Sequence, residues 1–141
     1  MAATVHIHAA RLVLAGWAAA LFLPVAFVAG KVMRGYEVGA WGWMGTFDLQ
    51  FGWWANLALL VSLRLSSDRR PPPLGRARAI TILLLALAFD ATTWRYVPND
   101  YRTLPIDAYG AGYYLWFATI AAGIGLLWWR YRAEQRIGSI Q

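Results

Sequence analysis

The stretch RLSSDRRPPPLGRAR, residues 64–78, lies between two apolar runs and holds five of the thirteen Lys and Arg residues of this 141-residue chain. Three more arginines, Arg130, Arg132 and Arg136, follow the last apolar run, so eight of the thirteen cations fall in two short stretches. Charge sorted in this way points to a polytopic membrane protein, because short loops rich in Lys and Arg stay on the cytoplasmic side of a bilayer. Composition agrees: 60% of the residues are hydrophobic, nine are Trp, and the mean hydropathy is positive.

Working outward from this basic stretch, the preceding run 51–63 is extended by Phe47, Leu49 and Leu65 to a predicted helix over 48–66, with Asp48 or Thr46 as its N-cap. The following run predicts a helix over 79–97, with Arg78 snorkelling at its start and Pro98 ending it. Residues 12–30 are nineteen in a row without a charge, bounded by Arg11 and Lys31, long enough to cross a hydrocarbon layer of ~30 Å. A cleaved signal peptide is the competing reading of that run, since Val28-Ala29-Gly30 resembles a cleavage site, but the run is long for one. The fourth run predicts a helix over 108–129, closed by an aromatic girdle of Trp128, Trp129 and Tyr131.

The predicted fold is therefore an all-α integral membrane protein, a single membrane domain over 1–141 built as an antiparallel four-helix transmembrane bundle with both termini cytoplasmic. A cytoplasmic loop spans 67–78, and outer loops span 31–47 and 98–107. This topology places nine cations inside: Arg11, then Arg64, Arg69, Arg70, Arg76 and Arg78, then Arg130, Arg132 and Arg136. Only Lys31, Arg34, Arg95 and Arg102 fall outside. The triple proline 71–73 stops the second helix and aims the third. Twelve of the thirteen cations are Arg and alanine is abundant, a bias suited to a GC-rich bacterial genome and hence to a bacterial inner membrane.

Composition also excludes much chemistry. With no cysteine there are no disulfides, thiolate nucleophiles, iron-sulfur clusters or Cys-based zinc sites. His6 and His8, two apart, face different sides of a helix and make no metal pair, and neither sits in a span to hold a haem. No GxxxxGK[ST], GxSxG or HExxH motif is present. The net charge of +6 belongs to arginines flanking helices and not to a continuous basic face, so nucleic acid is not an expected partner. No metal and no cofactor is expected, and no internal repeat of the transporter kind is found.

Asp90 is the standout residue, an acid within the apolar run 80–93, where an ionised side chain facing lipid costs a few kcal/mol. Pro24, Asn56, Tyr113 and Tyr114 fall at a similar expected depth, and with Thr93 and Arg95 they complete a polar shelf near the outer face. The candidates for binding a ligand or ion are Asp90, Asn56, Tyr113, Tyr114, Thr93 and Arg95. The bland alternative is structural: Asp90 bonds Asn56 or a tyrosine hydroxyl, or pairs with Arg95 or Arg34, and fixes helix register. The first outer loop, rich in Gly, Trp and Tyr, is expected to lie along the membrane surface over this shelf. Stripes at helical spacing, Gly16, Ala20 and Pro24 in the first run and Gly112, Trp116, Thr119 and Gly123 in the fourth, read as packing seams, with oligomerisation as the alternative.

Three functional classes remain. The first is a non-enzymatic accessory or interaction subunit, with membrane lipids and a larger membrane protein complex or a homo-oligomer as partners. The second is a small proton- or cation-coupled carrier or channel using Asp90. The third is a lipid- or quinone-binding protein or enzyme at the outer shelf, with Asp90, Asp107 or Glu37 as acid/base groups.

Overall fold

Pro24 divides the first apolar run. It has no N–H for a helical bond, and its ring disfavours helix in the residue before it. In the computed structural model, which describes residues 2–68, 70, 72–99 and 102–138, helix α1 accordingly occupies Ala2–Phe22 and not 12–30. The helix gains its length at the N-terminal side, through His6, His8 and Arg11. After it, strands β1 (Pro24–Val28) and β2 (Lys31–Arg34) form an antiparallel hairpin in which Val28 pairs Lys31. Ala29 and Gly30 make its two-residue turn with φ of 49° and 75°, the pair of positive values that matches the twist of a tight hairpin. The triplet that resembled a cleavage site is thus a hairpin corner.

A short helix α2 (Gly35–Trp41) and a 3-10 segment (Gly42–Asp48) follow, so the first expected loop is folded. The expected helix 48–66 is broken at Leu49, whose φ of 60° is left-handed. The chain re-enters helix through a 3-10 turn at Gly52–Trp54 and continues as α3 (Ala55–Ser67). Helix α4 spans Leu74–Thr92 and not 79–97. It starts early because Pro73 is a compatible lead-in residue and Arg76 and Arg78 are good helix formers. It stops early because Thr92 and Thr93 turn their hydroxyls back on the Phe89 and Asp90 carbonyls. The basic connection is therefore shorter than 67–78.

A second hairpin, β3 (Tyr96–Asn99) with β4 (Arg102–Pro105), replaces the expected loop 98–107. Strand β5 (Ala108–Tyr109) then adds to β1, giving the order β2-β1-β5. That pairing delays helix α5 to Ala111, and it runs to Gly138 instead of 108–129 because the arginine-rich tail also favours helix. Met1, Arg69, Pro71, Asp100, Tyr101 and residues 139–141 lie outside the described residues, as do the side chains of Pro98, Arg102 and Arg136.

The chain is mostly helical, 75%, with the short strands as its departure from an all-α fold. Among the described residues, two helices are long and apolar enough to cross a membrane, over Val5–Phe22 and Ala111–Ala133. Helix α3 is short at 13 residues, and α4 carries Arg76, Arg78 and Asp90. Helices α1, α3, α4 and α5 pack together, and Leu59, Leu84 and Leu127 are fully buried. Their directions follow from paired contacts. His6 lies against Trp129 with ring centroids 4.4 Å apart, and Gly16 lies against Thr119, so α1 and α5 are antiparallel. Thr81 meets Trp128, which donates to it at 3.0 Å, and Tyr113 reaches Ala91, so α4 also opposes α5. A Cβ on Gly123 would come within 2.5 Å of Leu59 Cδ1; the expected small-residue seams are used inside the bundle.

The hairpins, α2 and the 3-10 segments gather over one end of the four helices as a cap. The opposite end carries the arginines, where Arg130, 8% exposed, donates to the Asp68 carbonyl at 3.4 Å.

Candidate functional site

Between the cap and the helix ends lies a cavity of about 920 Å³. Its floor comes from α1, α3, α4 and α5, and its roof from β1, β2, α2 and the 3-10 segment. Most of its lining is apolar, with Val25, Val28, Val38 and Leu104 among the side chains, and four indoles, Trp41, Trp53, Trp94 and Trp116, also face it. Of the sequence candidates, Asp90, Asn56 and Tyr113 line it. Tyr114, Thr93 and Arg95 do not.

Asp90 is placed by α4 against the start of the α3 segment. One carboxylate oxygen, Oδ2, accepts hydrogen bonds from the backbone N–H groups of Phe51 at 2.6 Å and Gly52 at 2.7 Å. The first N–H groups of a helix have no partner within it, and a carboxylate there also meets the positive end of the helix dipole. Asp90 is thus an N-cap supplied from another helix, in the place expected for Asp48 or Thr46. Thr46 instead accepts from the Trp54 indole at 2.9 Å. The contact requires Gly52, since a Cβ there would lie 2.7 Å from Ala91 Cβ and 2.9 Å from Ala91 Cα. The anticipated structural role has this geometry, with backbone donors in place of Asn56, a tyrosine, Arg95 or Arg34.

Asn56 joins three helices. Its Oδ1 accepts from the Trp17 indole of α1 at 2.9 Å and from the Trp116 indole of α5 at 2.8 Å. Its Nδ2 donates to the Trp53 carbonyl at 2.8 Å. Two indole donors fix which end of the amide is oxygen and fill both of its lone pairs. The Trp53 indole donates in turn to the Gly39 carbonyl at 3.1 Å, tying the roof to the floor.

The remaining candidates form a second network beside the cavity. Arg95 donates to the Thr92 carbonyl at 2.8 Å, finishing α4, and to the Tyr109 hydroxyl at 2.9 Å. That hydroxyl donates to the Trp94 carbonyl. The Tyr109 ring stacks on Tyr113 at 4.3 Å and 22°, and Tyr113 donates to the Ala91 carbonyl at 3.2 Å. Tyr114 is 61% exposed and touches Tyr113 edge to face. Thr93 bonds its own helix. Pro24, placed on the shelf by its expected depth, lies instead at the start of β1.

Two of the six candidates, Asp90 and Asn56, hold the cavity's walls in place across chain separations of about forty residues. Sequence reading missed Trp17 and Trp53, and it placed Trp116 only in a packing stripe and Tyr109 only in an outer loop over the shelf, without their part as partners that give the arrangement its shape. An indole at each of two helix positions level with a lone Asn in an apolar run was the available signal. It is a weak one, because Trp is equally at home in an interfacial belt. No known protein family, no curated protein and no solved structure matches the chain.

Proposed function

We propose that this chain is a small multipass membrane protein that holds an amphipathic molecule of the lipid or quinone class in the cavity beneath its cap. The observation that carries the reading is the cavity itself: about 920 Å³, mostly apolar, with a few fixed polar groups and four indoles. Ligand sites have this size and this balance of lining. Asp90 and Asn56 are engaged by backbone and indole donors, which favours a rigid binding chamber over a carrier that cycles through Asp90.

The membrane setting is supported by how little of the apolar surface is covered. Only 17% of Val5–Phe22 and 33% of Ala111–Ala133 is buried, whereas a core helix of a soluble protein is largely enclosed. On α4, Ile82, Leu85 and Phe89 are 67, 56 and 73% exposed, and contiguous apolar surface of this kind calls for a nonaqueous neighbour. We infer that α1, α4, α5 and the short α3, lengthened by the 3-10 turn before it, all cross the bilayer, with the arginine end in the cytoplasm and the cap at the outer face, in a bacterial inner membrane. From Ala111 to Trp129, α5 spans ~28 Å at 1.5 Å per residue, close to the hydrocarbon thickness. The 3-10 segment then lies at the interface, with Phe47 and the following Leu49 turned outward at 79 and 77% exposure.

Purification in a mild detergent followed by solvent extraction tests the proposal. A lipid or quinone recovered near one per chain is the expected result, and an extract containing only detergent overturns it. A stoichiometric partner chain in the same preparation would instead support the accessory-subunit role.

A further inference from the structure

The polar groups of the cavity are unevenly signed. Among the described residues, two carboxylates, Glu37 and Asp90, line it against one cation, Lys31. Lys31 is exposed, at the cavity's edge, while both acids are half-buried. Each acid has one oxygen committed to the fold. Glu37 Oε2 accepts from the Arg34 N–H at 2.6 Å, and Asp90 Oδ2 accepts from Phe51 and Gly52. Their second oxygens have no hydrogen-bond partner among the described residues. The same cavity is lined by Trp41, Trp53, Trp94, Trp116 and Tyr113.

This combination selects the sign of the ligand's polar end. Aromatic faces carry negative quadrupole density and attract cations, most strongly where water is excluded. A half-buried carboxylate disfavours an anion beside it and gains from a cation. A small metal ion would exchange its water for two carboxylates and an apolar wall, a poor replacement for six or more oxygen ligands. An ammonium group on an apolar body keeps its charge diffuse, fits against indole faces and leaves its chain to the valines and leucines.

Resting on the reading that the cavity holds an amphiphile, we propose that the polar end of that amphiphile is an ammonium group, held by Glu37, Asp90 and the surrounding indoles. An amino or zwitterionic lipid and a free apolar amine share this chemistry.

The test uses the full chain in maltoside micelles, whose uncharged surface does not favour cations, and follows tryptophan emission. Dodecyltrimethylammonium and dodecanol are titrated into the wild type and into Gly39→Leu. Gly39 lines the cavity and has room at Cβ, 3.7 Å from Leu21 Cδ2, so a leucine there narrows the space open to a probe. The ammonium probe is expected to bind the wild type about 10-fold more tightly than dodecanol, as one desolvated cation–π and carboxylate site provides. Glu37→Gln keeps an acceptor for the Arg34 N–H and should remove most of that preference. Equal affinity for the two probes, or no effect of Glu37→Gln, overturns the ammonium assignment and leaves the cavity reading standing. No binding of either probe above the Gly39→Leu level overturns the cavity reading itself. Displacement of the probe by phosphatidylethanolamine and not by phosphatidylglycerol identifies a lipid source; failure of both to displace it identifies a free amine.

Discussion

Replacing Asp90 by alanine removes the acceptor for two backbone N–H groups, those of Phe51 and Gly52. A hydrogen bond to a charged group contributes about 1.5–3 kcal/mol, and a buried donor left without a partner costs about 1–3 kcal/mol. Phe51 is exposed, so water or a lipid headgroup can replace its acceptor, whereas Gly52 is buried against Ala91 and has no such substitute. The Gly52 bond therefore dominates, and the total loss should be about 3 kcal/mol. Asp90→Asn keeps one acceptor oxygen and loses only the charge and its attraction to the helix dipole, about half of that amount. At ~4 °C per kcal/mol for a chain of this length, the expected falls in Tm are about 12 °C and about 6 °C. Tryptophan fluorescence during thermal unfolding in one detergent reads both variants directly, because Trp53 and Trp54 follow the capped turn. If Asp90→Ala unfolds within about 2 °C of the wild type, the carboxylate is not holding the α3 start, and a purely functional role regains its place.

Asn56→Leu should leave the Trp17 and Trp116 indoles without their shared acceptor, lowering stability by about 2–4 kcal/mol and red-shifting tryptophan emission; unchanged emission would show that the clamp does not form. Ala29→Asn relieves a left-handed backbone at φ 49° in the Ala29-Gly30 turn and should raise stability by about 1 kcal/mol, read as a higher Tm. A cysteine introduced at Ser67, at the end of α3 on the arginine side, should resist impermeant maleimide in intact cells and react after lysis; labelling in intact cells would invert the topology.

The helices were legible because long apolar runs bounded by arginines signal themselves. Their ends were not, and the reasons are specific. Residues 24–30 are as apolar as the helix before them, so the run hid the first strand and turn of a hairpin whose only marks there were Pro24 and the Ala29-Gly30 pair. Leu49 broke the second helix through a left-handed backbone that leucine rarely adopts, which composition gives no reason to expect. The arginine tail of α5 was taken as the limit of a membrane span, although a helix can continue into water where its residues favour it. Asp90 and Asn56 stood out as polar residues in apolar surroundings. Their partners could not be read off, since a cap supplied across 38 and 39 residues depends on how α4 lies beside α3. The cavity was approached only as a shelf of polar groups; its walls come from a cap that sequence reading took for loops.

Native mass spectrometry of the wild type and Gly39→Leu, released from the same mild detergent, tests the central claim most directly. The wild type is expected to carry one bound amphiphile per chain, and Gly39→Leu, equally folded by its thermal transition, to carry it on clearly fewer chains. Equal occupancy on both proteins, or no adduct on either, would contradict the claim.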